Sequence, residues 1–476
     1  MYTRSKYKSE NPSKTISQIQ NILRSLNIAV KVDVQSNFGY DFSCRLSICN
    51  GGLEFFNLGS NGKGMSEEYA LASAYAELLE RLQNKALLKE NIVYATRSFL
   101  RFHNYEFINF PVLDFLYYPD ETIRFLTKDD IANDIVPHFF PSCKYLSLNS
   151  NNQYPCIFAP FEDLIDKSFK MIPVEFFRAM CGTTGMCAGN NKEEAITQGI
   201  NEIFERYVLM KLYTTHVNLP NIELSSFKGH EIYDRIKSLE EKFNVFIKDC
   251  SLGIGLPVIG LLLVNQKEGT YAFRLGADYN IVTALERCFT ESFQGKNSDQ
   301  LIFNRFDINN PIDKREYRKA LKNGQGRFPH SVLTYSSSQS RFPHHDFKSY
   351  VEELDYYIDY IQSLGTHLYI KDNSFLGFPS YAVYIPNYSI IDDQLFDFAK
   401  MIEDKRRTYG KKNSLLNIAE SINCSPIDLL ADLEESNFVV LQKWNTAKST
   451  KINSKILGMY VCMYIWLKII ISKLKR

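Results

Sequence analysis

The sequence predicts an α+β fold built from repeated units, each made of a β-hairpin, a glycine-bearing loop and an amphipathic helix. Alternating apolar residues bounded by Gly and Asn indicate strands, and helix-type periodicity follows each glycine-bearing segment. The same order recurs three times between residues 42 and 296. Repetition of one supersecondary unit indicates a single domain whose sheets are formed from hairpins.

The composition is that of an ordinary globular protein. The chain has 476 residues, of which 45% are hydrophobic and 23% are charged, and its net charge is +1. A chain of this length can bury a large core, and so small a net charge argues against nucleic acid as a partner. The ten cysteines form no CxxC pair, and the first residues lack the apolar core of a signal peptide. We therefore expect a cytoplasmic protein whose thiols are free and mostly buried.

The first unit starts at residue 42 with an alternating strand, followed by an Asn-Gly-Gly turn and a second strand. The segment SNGKG, residues 60–64, is predicted to be a loop because it is rich in glycine. Ser66 is the predicted N-cap of the helix that follows, with Glu67 and Glu68 in the first turn.

The other two units repeat this order. In the second unit the predicted hairpin, loop and helix are residues 154–161 with 169–177, 181–191, and 192–213. In the third unit the corresponding segments are residues 256–265 with 270–275, 276–280, and 283–296. Both helices follow a loop that contains glycine, as the first one does.

The C-terminal part of the chain changes in character near residue 390. Residues 300–390 look like more of the same domain, whereas the residues that follow favour helix. We therefore predict a domain over 1–390 and a helical C-terminal extension over 391–476. The apolar run 456–471 is interrupted by Lys468 and is too short to span a membrane. A helix docked on protein and a helix lying weakly on a membrane surface both remain open.

The predicted helices align on acidic residues. Glu77, Glu202 and Glu291 share one position, and three residues later come Glu80, Glu205 and, in the third helix, Gln294. Residues three apart lie on one face of a helix, where like charges repel, and a single such pair usually belongs to a solvated surface. Recurrence among apolar neighbours instead indicates a shared, partly buried acidic centre that needs cations. All-oxygen ligation favours Mg²⁺ over Zn²⁺ there.

Basic and polar residues accompany these acids. They are Arg81 and Arg206 directly after the second carboxylate, Ser73, Gln198 and Arg287 four residues before the first, and Lys63 in the glycine-rich segment. Carboxylates, Mg²⁺ and arginines together describe a polyphosphate site, although the chain has no GxxxxGK[ST] motif. Each arginine alone is equally well explained by a salt bridge to its neighbouring glutamate, so both interpretations stay open.

Three segments resemble the signature blocks of the YcaO domain family. They are SAYAELLER at 73–81, TGMCAGNNKEEAITQGINEIFER at 184–206, and ALERCFTESFQG at 284–295. The resemblance covers roughly residues 1–390 and is greatest to the stand-alone enterobacterial type. It implies a YcaO-type catalytic domain over 1–390 that uses ATP and Mg²⁺ to phosphorylate the oxygen of peptide backbone amides. Such chemistry depends mainly on positioning and charge neutralisation.

The resemblance also implies roles for individual residues. The Mg²⁺ ligands would be Glu77, Glu80, Glu202 and Glu205, and Glu291 would complete the acidic, catalytic set. The nucleotide and its phosphates would be bound by Lys8, Thr15, Ser73, Arg81, Asn190, Gln198, Arg206 and Arg287. Thr15 stands where Ser is usual in the family.

Several products fit a chain of this type. The resemblance implies azoline heterocycles or thioamides in a ribosomally made peptide or protein, and the alternative is an accessory or scaffold protein for ribosomal-protein methylthiolation or a partner enzyme. Many azoline-forming members of the family end in a Pro-x-Pro-x-Pro tail, whereas this chain ends in SKLKR. In addition, the third loop has Asp278 where the family often has His-Pro. The first difference argues mildly against azoline formation. We expect a peptide or protein substrate, a partner protein for leader recognition or sulfur delivery, and a homodimer.

Overall fold

The computed structural model describes residues 8–26, 28–37, 41–49, 58–84, 86, 122–139, 141, 154–293, 304–307, 312–324, 326–336 and 338–391. The predicted Asn-Gly-Gly turn, Gln294 and the C-terminal extension after residue 391 lie outside these residues. None of the helices within the described ranges is long and apolar enough to cross a membrane.

Helices and strands are interspersed along the described chain. The helices are α1 (Pro12–Ser25), α2 (Glu67–Gln83), α3 (Lys128–Asp130), α4 (Val136–Phe139), α5 (Val174–Cys181), α6 (Lys192–Thr214), α7 (Glu231–Leu239), α8 (Ile281–Phe293), α9 (Lys314–Asn323), α10 (His330–Leu333) and α11 (Tyr350–Ser363). The strands are β1 (Val30–Asn37), β2 (Asp41–Ile48), β3 (Gly59–Gly64), β4 (Thr122–Leu126), β5 (Tyr154–Asp163), β6 (Ser168–Pro173), β7 (Met186–Ala188), β8 (Asn221–Ile222), β9 (Asn244–Asp249), β10 (Val258–Asn265), β11 (Thr270–Ala277), β12 (Asn304–Arg305), β13 (Tyr369–Asp372) and β14 (Ser380–Tyr384). A π-helical segment, Ile131–Ile135, joins α3 to α4, and a 3₁₀ turn covers Leu224–Phe227.

The strands form three antiparallel sheets, which confirms the predicted α+β class. The first has the order β1-β2-β3, and the second has the order β12-β11-β10-β9-β8. The third has the order β4-β5-β13-β14-β7, with β6 added beside β5. In the third predicted unit, β10 and β11 form the expected hairpin, in which Val258 pairs with Ala277 and Asn265 with Thr270.

The first unit differs from its prediction at the glycine-rich segment, which is strand β3 instead of a loop. A Cβ atom on Gly62 would lie 2.0 Å from the carbonyl oxygen of Ala70 and 2.4 Å from the amide nitrogen of Ala74. The glycine is therefore explained by the close approach of α2 to the strand. The prediction of Ser66 as N-cap is confirmed, because its hydroxyl accepts a hydrogen bond from the amide of Tyr69.

In the second unit, one strand pairs with a strand from far along the chain, which was not predicted. Strands β5 and β6 form the expected hairpin, but helix α5 then replaces the end of the predicted second strand. The short strand β7, inside the predicted loop, leads into α6 and pairs with β14, so that Ala188 lies opposite Ser380. The strand partner of β7 thus comes from nearly 200 residues later, which the spacing within the unit could not show.

Each of the three helices contacts the strand of another unit. Helix α2 contacts β7, α6 contacts β11, and α8 contacts β3. An apolar core surrounds α6, where Ile200, Ile203 and Phe204 are completely buried. The three predicted units are therefore arranged in a ring, and the acidic positions of their helices are brought towards a common centre.

Candidate functional site

The centre of the ring contains the predicted acidic residues. Helix α2 carries Ser73, Glu77, Glu80 and Arg81, α6 carries Gln198, Glu202, Glu205 and Arg206, and α8 carries Arg287 and Glu291. Electrostatic interactions connect the helices. The charge of Glu202 on α6 contributes to raising the pKa of Glu80 on α2, and the charge of Glu205 on α6 contributes to raising the pKa of Arg287 on α8. The prediction that the helices share one acidic centre is consistent with this arrangement.

Two carboxylates of the centre are partly buried. The side chains of Glu80 and Glu202 are 16% and 32% exposed. Burial raises the pKa of Glu80 well above its usual value, the charge of Arg81 opposes this, and the charges of Glu202 and Glu77 add to it. Burial also raises the pKa of Glu202, while Arg206 and Arg81 lower it. Mutually repelling carboxylates in a partly buried site are stabilised by a bound cation.

The two arginines that follow the acids lie beside them. The Nη2 atom of Arg81 is 3.3 Å from Oε1 of Glu77, and its Nε atom is 3.6 Å from Glu80. In α6, Nε of Arg206 is 3.9 Å from Oε1 of Glu202. These are the neighbouring salt bridges expected from the spacing, and they also keep guanidinium groups within the acidic centre. The predicted role of both arginines in phosphate binding stays a prediction.

Lys63 and Arg287 connect different units. Lys63, from β3, forms an ion pair with Glu291 of α8. Burial lowers the pKa of Lys63 to about 8, although the charge of Glu205 raises it. Arg287 donates to Gln198 and to Asp278, in each case over 3.4 Å. The departure from the family pattern at Asp278 therefore adds a carboxylate that orients Arg287.

The N-terminal segment lies against the start of α6. Thr15, on α1, donates a hydrogen bond of 2.6 Å to Oδ1 of Asn190, and Asn190 donates to Glu194 over 3.1 Å. Nζ of Lys8 is 3.3 Å from Glu194, and the backbone amide of Ser9 donates to the same carboxylate over 3.0 Å. Three residues predicted to contact nucleotide are thus brought together around Glu194.

Glu194 was missed by the sequence reasoning. Its side chain is only 2% exposed. The signal available was its position at N3 of α6, three residues after the N-cap Asn191, whose side chain accepts from the Glu194 amide. That pattern indicates a capping residue, and it does not predict partners from the N-terminal segment.

The donor set fits Mg²⁺ bound together with a polyphosphate. Among the residues the structure describes, no three of the predicted ligands Glu77, Glu80, Glu202 and Glu205 come within 4.8 Å of one another. Mg²⁺ commonly takes only one or two protein carboxylates and completes its shell with phosphate oxygens and water. Desolvated carboxylates beside arginines supply that chemistry, so the residues present fit ATP with Mg²⁺. Their assignment as ligands stays a prediction.

A family model described as YcaO cyclodehydratase, ATP- and Mg²⁺-binding, matches residues 61–389. The chain belongs to the YcaO family. The prediction of ATP and Mg²⁺ as cofactors is confirmed by this description of the family, and the predicted recognition is confirmed with it. The match covers all three helices of the acidic centre.

Two curated relatives are similar in sequence. An uncharacterised protein of Haemophilus influenzae is 27% identical over 422 residues, which are 83% of this chain and 70% of the relative. The ribosomal protein S12 methylthiotransferase accessory factor YcaO of Escherichia coli is 32% identical over 251 residues, which are 50% of this chain and 41% of the relative. The matched region thus covers less than half of the Escherichia coli YcaO protein.

Two solved structures share the YcaO fold. A heterocyclase in complex with substrate and cofactor is 15% identical, with a TM-score of 0.55 over 81% of this chain and 53% of the other. YcaO from Methanopyrus kandleri, bound with AMPPCP and Mg²⁺, is also 15% identical, with a TM-score of 0.52 over 81% of this chain and 94% of the other. At this level of identity the comparison supports the fold of the chain.

Proposed function

We propose that the chain is an ATP- and Mg²⁺-dependent enzyme that phosphorylates the oxygen of peptide backbone amides. The products would be azoline heterocycles or thioamides in a ribosomally made peptide or protein. The observation that carries this proposal is the pair of desolvated carboxylates, Glu80 and Glu202, on different helices and beside Arg81 and Arg206. The arginines, together with a Mg²⁺ that the carboxylates would hold, would stabilise the negative charge that develops during phosphoryl transfer.

The residues of the acidic centre have different proposed roles, according to their side-chain chemistry. Glu77, Glu80, Glu202 and Glu205 would hold Mg²⁺, and Glu291 would complete the acidic set by orienting Lys63. Arg81, Arg206 and Arg287 would bind phosphate oxygens, while Lys8, Thr15, Ser73, Asn190 and Gln198 would position the nucleotide. ATP supplies the phosphoryl group, and Mg²⁺ neutralises its charge. The hydrogen bond between Thr15 and Asn190 supports this division, because it joins α1 to the loop before α6.

A second candidate is an accessory or scaffold protein without turnover of its own. It is favoured by the 32% identity to the Escherichia coli accessory factor for S12 methylthiolation. In either case we propose that the chain acts in the cytoplasm as a homodimer on a peptide or protein substrate. A separate partner protein would then recognise the leader peptide or deliver the sulfur.

Binding and turnover of ATP test the enzyme proposal. Glu202→Gln removes one ligand charge and little volume, so it should weaken Mg²⁺–ATP binding by more than about tenfold, since mutation of residues that merely orient a ligand costs roughly 10- to 100-fold. Calorimetry with a non-hydrolysable ATP analogue and Mg²⁺ measures this effect. Glu68→Gln, an exposed acid on α2, is the control and should bind as the wild type does.

Mass spectrometry of candidate peptides separates the products. Loss of water from a co-expressed peptide indicates an azoline, and replacement of oxygen by sulfur indicates a thioamide. Wild-type protein that binds ATP but never turns it over, and that co-purifies with a partner, would favour the accessory role. Absence of both binding and turnover in the presence of Mg²⁺ would refute the enzyme proposal.

A further inference from the structure

The turn between β5 and β6 holds a second group of candidate metal ligands. Asp163 ends β5, Asp166 lies in the turn, and His367 precedes β13. One ligand atom from each residue can be chosen so that all three atoms lie within 4.8 Å of one another. The group shares no residue with the acidic centre, because that centre is built from α2, α6 and α8.

The three side chains are positioned by the backbone around them. Oδ1 of Asp163 accepts hydrogen bonds from the amides of Ile165 at 3.0 Å and Asp166 at 3.4 Å, which leaves the second oxygen of this carboxylate for another partner. The amide of Leu164 donates to the carbonyl oxygen of Leu368 over 2.9 Å. This bond holds the turn against the segment that carries His367.

The Asp163 carboxylate is buried and incompletely satisfied. Its side chain is 0% exposed, and neither its Oδ2 atom nor Nδ1 of His367 has a hydrogen-bond partner among the described residues. The two atoms lie 2.8 Å apart, but they do not meet the geometry of a hydrogen bond. A buried carboxylate oxygen without a donor is costly, and a cation placed between the two lone pairs would satisfy both atoms.

The spacing of the ligand atoms suits a small divalent cation. Two ligands of one ion lie roughly 3–3.5 Å apart when each metal–ligand bond is roughly 2.0–2.2 Å long. Nδ1 of His367 lies 2.8 Å from Asp163 and 3.7 Å from Asp166, so the observed distances bracket this spacing. One imidazole with two carboxylates favours a first-row transition metal or Zn²⁺ over Mg²⁺ or Ca²⁺.

We propose that Asp163, Asp166 and His367 bind one Zn²⁺-like divalent cation that fastens the β5–β6 turn to the start of β13. The side chains of Asp166 and His367 are 51% and 44% exposed, so water completes the coordination from the solvent side. Because three protein ligands come from two strand connections, the ion acts as a cross-link within the third sheet.

Zinc titration of the full chain tests this proposal. In excess Mg²⁺, which occupies all-oxygen sites, calorimetry should show one Zn²⁺ bound per chain. His367→Ala and Asp166→Asn should each weaken this binding by more than about tenfold, because even a residue that only orients a ligand contributes roughly 10- to 100-fold. Both side chains are half exposed, so these variants are expected to fold.

A matched control comes from another pair of histidine and aspartate. His138 lies 3.4 Å from Asp134, and both are exposed without a third ligand in the described chain. His138→Ala should bind Zn²⁺ as the wild type does. Zn²⁺ should also raise the Tm of wild type and His138→Ala but leave that of His367→Ala unchanged. Equal Zn²⁺ affinity in wild type and His367→Ala, or no stoichiometric binding by wild type, would overturn the proposal without bearing on ATP.

Discussion

At the scale of single residues, Glu194 is the hydrogen-bonding centre that joins the N-terminal segment to the second unit. It accepts from Ser9 and Asn190 and lies 3.3 Å from the ammonium group of Lys8. Burial alone would raise the pKa of Glu194, but Lys8 and the hydrogen bonds from Ser9 and Asn190 bring it below its usual value of 4.5. The charged form is thus the form that the folded protein stabilises.

We expect Glu194→Gln to lower stability in a pH-dependent way. Because the folded-state pKa is lowered, the contribution of the carboxylate is present above pH 4.5 and is lost as the pH falls through the folded-state value. At neutral pH the substitution should lower the free energy of unfolding by about 1.5–3 kcal/mol, the usual contribution of a hydrogen bond to a charged group. Urea denaturation at neutral and acidic pH measures the difference.

The neighbouring acid provides the control. Glu193, in the same helical turn, is more exposed than Glu194. Glu193→Gln should leave stability nearly unchanged at every pH. A loss of stability in Glu194→Gln that stayed constant with pH would indicate a packing role for this residue instead of a charge.

The site residues that could be predicted from the sequence are those that recur at the same position in each of the repeated helices. Glu77, Glu202 and Glu291 were identifiable because each occupies the same place in its helix. The partners of Glu194 were not, because Ser9 lies 185 residues away in the chain. Likewise, no spacing rule predicts the pairing of Lys63 with Glu291.

At the scale of elements, each helix of the ring lies so close to its strand that one of the two facing residues must be small. In the first unit Gly62 faces Ala74, and in the third unit Gly276 faces Cys288. In the second unit the strand carries Cys187, and the glycine is instead on the helix, at Gly199. A Cβ atom on Gly199 would lie 2.9 Å from Sγ of Cys187 and 2.9 Å from Cγ2 of Val383, so Cys187 accounts for part of the crowding.

A double variant with glycine at position 187 and alanine at position 199 should therefore be destabilised less than the two single effects together predict. Gly199→Ala alone should destabilise by about 1–3 kcal/mol through overpacking. Adding Cys187→Gly recreates the pairing of the first unit, so the double variant should be more stable than the sum of the single effects by about 0.5–3 kcal/mol. Thermal or chemical denaturation of the four proteins gives this coupling energy. Strict additivity would show that the contact with Cys187 is unimportant.

Elements were predictable from the sequence where strand partners are adjacent in the chain. The hairpin of β10 and β11 agrees with its prediction because a short turn joins the two strands. The strand β3 was mistaken for a loop because Gly62 and Gly64 serve packing against α2 and not chain reversal. The pairing of β7 with β14 depends on a distant segment, which periodicity does not report.

At the scale of the whole molecule, the ring of three units brings carboxylates from different helices close together, with arginines and Lys63 beside them. Helix α2 contacts β7, α6 contacts β11, and α8 contacts β3, so the helix of each unit packs against a strand of another unit. Burial raises the pKa of Glu80 on α2, Arg81 opposes this, and the charge of Glu202 on α6 adds to it, so carboxylates of the two helices repel one another there. A bound cation that relieves this repulsion should stabilise the entire ring.

We accordingly expect ATP with Mg²⁺ to raise the Tm of the protein in a concentration-dependent way. A ligand that binds only the folded state adds about 2.7 kcal/mol at a free concentration one hundred times its Kd. Differential scanning calorimetry measures the effect. Chelation of Mg²⁺ with EDTA should remove most of it, and Glu80→Gln should reduce it. An equal rise in Tm with ATP in EDTA would contradict a metal-bridged site.

Because β7 pairs with β14, this part of the third sheet can form only after β14 has been synthesised. The hydroxyl of Ser380 donates to the carbonyl oxygen of Cys187, 193 residues earlier in the chain. At translation rates of about 5–20 residues per second, β14 leaves the ribosome roughly 10–40 seconds after β7. The acids of α2 and α6 are thus made before β14, which contacts α6 and is the last strand of the described residues. ATP-binding capacity should accordingly appear only in chains synthesised past residue 384, which makes it a marker of a finished domain.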